Sequence, residues 1–158
     1  MGCWHFFGAG WGPTGTSIVS STATNLIETG SGSADRTVDL RIEHLLLDGE
    51  ANAEIGIVVN RLHHILLNRV RLQNFTVAGV DMNMAYNNEL RDLFVQDCGT
   101  GILVDANNEY TLITRAKIYN CDAFGIHFRD GSCSGSKIMF CDVEACEVLP
   151  LLRLPRPA

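Results

Sequence analysis

Leu93-Phe94-Val95-Gln96-Asp97, followed by Gly101-Ile102-Leu103-Val104, reads as two short strands around a tight turn. Its apolar residues alternate with period two and are punctuated by Asp and Gly, which is strand spacing and not helix spacing. The pattern recurs as Leu45-x-Leu47-x-Gly49, Val70-x-Leu72-x-Asn74, Ala116-x-Ile118-x-Asn120 and Ile138-x-Phe140-x-Asp142. Taken in chain order, the closing residues of the five copies lie 25, 23, 23 and 22 positions apart. A second strand follows each turn at matching offset, in Gly56-Ile57-x-Val59, Gly79-Val80-x-Met82 and Gly125-Ile126-x-Phe128. A third apolar column, Ile42, Leu67, Leu90 and Ile113, precedes the first.

A repeat of this length signals a solenoid. Each unit holds three short strands and leaves no room for a helix. Alternate residues of each strand point inward, and coils stacked about 4.8 Å apart pair each strand in parallel with its equivalent. The expected fold is therefore all-β, a parallel β-helix of about five to six coils with about 23 residues per coil. The usual hand of parallel crossovers makes it right-handed. Residues 1–146 form its single domain and residues 147–158 a Pro/Leu-rich tail. Leu47, Leu72, Val95, Ile118 and Phe140 should share one buried column. Gly49, Asn74, Asp97, Asn120 and Asp142 should form a turn column, because Gly, Asn and Asp tolerate the left-handed region. Asn74-Phe75-Thr76 is a glycosylation sequon, but this column turns its Asn into the stack.

Composition narrows the function. The 158 residues are 46% hydrophobic and 19% charged, with a net charge of −6. That supplies a core and argues against disorder. The acidic balance, with 12 scattered Lys and Arg, disfavours nucleic acid and anionic membrane surfaces. No apolar run approaches the roughly 20 residues of a membrane span. The opening Met1-Gly2-Cys3-Trp4-His5-Phe6-Phe7 lacks a basic segment, so no signal peptide is visible. Six cysteines show no zinc spacing, and most are expected as buried thiols. Cys98 and Cys121, each after a turn residue, should stack as a thiol ladder.

The coil repeat over residues 38–142 resembles the pectate-lyase-like right-handed parallel β-helix superfamily of pectate lyases, polygalacturonases and phage tailspikes. Gly8-Ala9-Gly10-Trp11-Gly12-Pro13-Thr14-Gly15-Thr16-Ser17-Ile18 is similar to the G-x-G…T-x-I stretch of its early coils, and Ile42 to Gly49 to the element that follows. The polygalacturonase signatures N-T-D, D-D, G-H-G and R-x-K do not occur. The resemblance implies a carbohydrate-associated module, with lyase or glycoside hydrolase activity open. The alternatives are a non-enzymatic, self-assembling structural protein and a fragment of a larger enzyme. It also implies an extracellular or virion setting and polysaccharide as a partner.

Candidate sites follow from outward columns. His44, Arg69, Asp92, Arg115 and Lys137 form one, where Asp92 beside Arg115 echoes a lyase's Ca²⁺-binding carboxylate and proton-abstracting base. One carboxylate is thin for Ca²⁺, which takes six to eight oxygens, and a surface charge ladder is the plainer reading. No other cofactor is expected. Val58, Asp81, Leu103 and His127 form a second column, and Asp105, Asn107, Asn108, Arg129 and Asp130 lie in the loops beyond it. Asp81 and Asp105, one coil and two residues apart, should lie roughly 8 Å apart, the span of an inverting glycosidase pair. Solvated loop polarity is the alternative. Tyr86 and Tyr110 are sugar-stacking candidates or loop packing. His63 and His64 face opposite ways and make a weak metal site. Solenoid ends need covers, so a homo-oligomer is expected, either a side-by-side trimer or an end-to-end stack.

Overall fold

The structure is a computed structural model that describes residues 3–10, 15–20, 24–29, 39–105, 107–129 and 133–146. The tail 147–158, Asp130 and the Trp11–Thr14 part of the Gly-rich stretch lie outside the described residues. Seventeen short strands build successive rungs. They are β1 (Cys3–Phe7), β2 (Ser17–Val19) and β3 (Ile27–Thr29), then β4 (Asp39–Glu43), β5 (Leu46–Asp48) and β6 (Ile55–Asn60). Next come β7 (Ile65–Asn68), β8 (Arg71–Gln73) and β9 (Ala78–Asn83), then β10 (Glu89–Arg91), β11 (Phe94–Gln96) and β12 (Thr100–Val104). The last are β13 (Leu112–Thr114), β14 (Lys117–Tyr119), β15 (Ile126–Phe128), β16 (Lys137–Met139) and β17 (Asp142–Glu144). Every third strand pairs in parallel, giving sheet A (β1-β4-β7-β10-β13-β16), sheet B (β2-β5-β8-β11-β14-β17) and sheet C (β3-β6-β9-β12-β15). No helix occurs among the described residues.

This is the expected parallel β-solenoid. Its regular stack, from Asp39 to Lys137, makes about four turns of about 24 residues, slightly fewer than the five to six expected. Inward columns are in register across it. Ile42, Leu67, Leu90 and Ile113 line sheet A, and Leu47, Leu72, Val95 and Ile118 line sheet B, all with no exposed surface. Gly56, Gly79, Gly101 and Gly125 open the sheet C strands, where a side chain has no room. A Cβ on Gly101 would lie 2.4 Å from the Gly125 carbonyl oxygen and 2.5 Å from Ile118. At the corner that follows, the fully buried Asn108 donates to the Met82 carbonyl at 2.9 Å and accepts from the Ala85 N–H at 3.0 Å.

The last coil departs from the expected frame. Val143, not Phe140, pairs with Ile118 and continues the sheet B column, while Phe140 is 83% exposed. The interval from Asn120 to its equivalent Ala145 is 25 residues, against 23 between Asp97 and Asn120. Ile138 belongs to sheet A, opposite Ile113, so the apolar-x-apolar motif there is shifted by three residues. Lys137 likewise leaves the His44 column, and Phe140 replaces it. The left-handed turn column is Asn74 (φ 62°), Asp97 (52°), Asn120 (55°) and Ala145 (51°). Asp142 lies in β17, and next to Gly49 the positive φ falls on Glu50 and Ala51 instead.

A second left-handed column joins sheet A to sheet B. It comprises His44, Arg69, Asp92, Arg115 and Phe140, with φ between 51° and 58°. Arg69, Arg115 and Phe140 are poor left-handed formers, so the stack imposes the conformation on them. The N–H groups of the first four bond the next rung's carbonyl, as in His44 to Asn68 at 3.1 Å and Asp92 to Thr114 at 3.0 Å. A third column, His64, Asn87, Tyr110 and Gly135, turns the chain from sheet C into sheet A.

Candidate functional site

On the outer face of sheet C, Val58, Asp81, Leu103 and His127 stand in register, as their alternation predicts. Asp81 is flanked by Val58 and by Leu103, which is only 7% exposed, and its Oδ1 is buried without a hydrogen-bond partner. That burial, together with the nearby negative charge of Asp105, raises the Asp81 pKa; Arg129 opposes the shift. Asp105 follows one rung on and two residues along, and Arg129 Nη2 donates to its carboxylate. His127 packs its ring against Phe124 at 4.4 Å between centroids. A carboxyl whose pKa is raised, near a second carboxyl paired with Arg, is the kind of arrangement that sets a general acid apart from its counterpart. Leu103, however, separates Asp81 from His127 within their column, so these two do not meet.

Asp92 and Arg115 do meet, across the corner of sheets A and B. Arg115 donates Nε to Oδ1 at 2.7 Å and Nη2 to Oδ2 at 2.9 Å. The bidentate bond, with the nearby Arg69 and Arg91, holds the Asp92 carboxyl below its ordinary range. Three guanidinium groups around one carboxylate oppose a cation, so these residues do not fit Ca²⁺. Within this column Asp92 and Arg115 form a surface ion pair. His63 and His64 lie with their rings at 90°. His63 stacks on Tyr86 at 4.8 Å, and His64 Nδ1 contacts Asp39 at 3.2 Å.

The structure adds a groove of about 310 Å³ on the outer face of sheet A. Ile65 and Leu66 line it with Asp39, Arg41, His64, Asn87 and Glu89. Arg41, Leu66 and Glu89 occupy one register column, immediately before the buried Ile42, Leu67 and Leu90. The left-handed corner brings His64 and Asn87 to the groove's edge. The sequence reading found the neighbouring His63, Tyr86 and Tyr110 but passed over Arg41, Asn87 and Glu89. The signal was available, since the residue before each inward apolar of sheet A must face out. The groove and the Asp81–Asp105 pair stand on different sheets, so no single site among the described residues combines them.

No family model matches this chain, and no curated protein matches it. Among solved structures, it is similar to the protein "ORF18" of Geobacillus virus E2, with a TM-score of 0.71 and 19% identity. The match covers 85% of this chain and 30% of that one, so the chain spans less than a third of its neighbour's length. At that identity the likeness is one of fold, and it places the chain among parallel β-solenoids that include a viral protein.

Proposed function

We propose that this chain is a carbohydrate-associated β-solenoid module that binds polysaccharide through the sheet A groove. The observation that carries this reading is the groove's chemistry. Leu66, the outward residue of its strand, offers an apolar floor to the C–H face of a sugar ring. Arg41 and Asn87 supply donors, and Asp39, Glu89 and the Asn87 carbonyl supply acceptors to hydroxyl groups, the mixture a small-ligand site requires. The stacked His63–Tyr86 pair extends the surface beside it. Binding without catalysis is favoured because the carboxylate pair faces away from this groove.

The test is calorimetric titration with oligogalacturonate and with a neutral glucan oligosaccharide. Wild type should bind one of them, an Arg41→Ala/Glu89→Ala variant should not, and Asp81→Asn should bind as wild type does. Product release that Asp81→Asn abolishes would reassign the function to a sheet C glycosidase or lyase. A second reading, a purely structural virion solenoid, is favoured by the fold shared with the viral protein. Under it neither saccharide binds, and the apolar Phe6, Phe7, Ile138 and Phe140 of the outermost described rungs serve assembly, as a trimer or an end-to-end stack.

A further inference from the structure

The corner between sheets B and C carries a cysteine after three of its left-handed residues: Asp97-Cys98, Asn120-Cys121 and Ala145-Cys146. Gln96, Tyr119 and Glu144 are in register, so the three thiols stack on successive rungs. Each Sγ reaches back to the carbonyl two residues earlier, at 3.1 Å for Cys98, 3.8 Å for Cys121 and 3.2 Å for Cys146. The Cys121 and Cys146 thiols are close enough to influence each other's ionisation. Cys98 and Cys121 are buried, at 1% and 4% exposure, whereas Cys146 is only half-buried. All three are free thiols.

We propose that Cys121 and Cys146 are a disulfide-forming pair, oxidised by small-molecule disulfides that enter at Cys146. Adjacent in-register rungs set their Cα atoms about 4.8 Å apart, inside the range a disulfide bridges. The oxidant is a small disulfide such as oxidised glutathione. The Cys146 thiolate attacks one of its sulfurs, the glutathione S–S bond breaks, and one glutathione leaves as thiolate. The Cys121 thiolate then attacks Cys146 Sγ, a protein S–S bond forms, and the second glutathione leaves. The two thiol protons end on the two glutathiones, so two protein thiols are oxidised and one disulfide is reduced. Cys98, two rungs from Cys146 and sealed from solvent, takes no part. Burial pushes the Cys98 thiol up to about 12 and raises Cys121 as well, so resolution by Cys121 is the slow step and quickens as pH rises.

The product would tie β14 to β17. The test incubates the full chain with oxidised glutathione, digests it without reductant and maps the linked peptides by mass. The expected result is a Cys121–Cys146 linkage with Cys98 free, and a melting temperature that falls again when dithiothreitol is added. Cys146→Ser, at a half-buried position, should fold and show neither the linkage nor the dithiothreitol-sensitive shift. Cys121→Ser should stop at glutathione bound to Cys146. Wild type that stops at the same mixed disulfide, or links any other pair, would overturn the proposal.

Discussion

Replacing Asn120 by Leu separates two reasons for the turn ladder. Asn120 sits at φ 55°, and its Nδ2 donates to Asp97 on the preceding rung. An ordinary L-residue in this region costs roughly 1–2 kcal/mol. The side chain is exposed, so the lost hydrogen bond adds about 0.5–1.5 kcal/mol at most. Asn120→Leu should therefore destabilise by about 1–3 kcal/mol. Asn120→Gly keeps the backbone conformation and loses only the bond, apart from about 0.5–1 kcal/mol of unfolded-chain entropy. Urea unfolding of the three proteins, at constant m-value, gives both differences. If Leu proves no more destabilising than Gly, left-handed strain is not what selects Asn here, and the reasoning fails.

Asp92→Asn should cost less than about 1 kcal/mol, because its Arg115 bond is a surface pair and Asn tolerates φ 52°. The Asp92 pKa is lowered in the fold, so its contribution is present above the ordinary value of 3.8 and fades as pH falls through the folded value; melts of the variant and wild type should converge in acid. Asp81 has the opposite sign. Its pKa is raised, so the stability it brings is complete below 3.8 and is lost as pH rises through the folded value. Asp81→Asn should accordingly melt higher than wild type at neutral pH and gain nothing below pH 3.8, which a pH series of thermal melts checks. Gly101→Ala should destabilise by about 1–3 kcal/mol or more in urea, since its Cβ would overlap the Gly125 carbonyl oxygen and Ile118.

The repeat was legible because inward positions tolerate little besides apolar residues, so Leu72, Val95 and Ile118 announced their column. The frame slipped at the last coil for a physical reason. Ile138-x-Phe140-x-Asp142 imitates the motif, yet the longer interval before it puts Ile138 on sheet A and Phe140 on a bend. The corner between sheets A and B was not legible, because Arg69 and Arg115 carry no left-handed preference and the ladder's main-chain bonds force them into it. The Asp81 column could be placed from alternation alone, but its desolvation between Val58 and Leu103 depends on neighbouring rungs. The groove escaped notice because its polar groups come from rungs more than twenty residues apart, such as Asp39 and His64.

The groove, the carboxylate pair and the thiol stack all depend on one in-register parallel stack. Nuclear Overhauser contacts in a methyl-labelled sample test it most directly. The account predicts contacts from Ile118 to Val95 on one side and to Val143 on the other, with none to Phe140. Contacts between Ile118 and Phe140, or none between Ile118 and Val95, would contradict it.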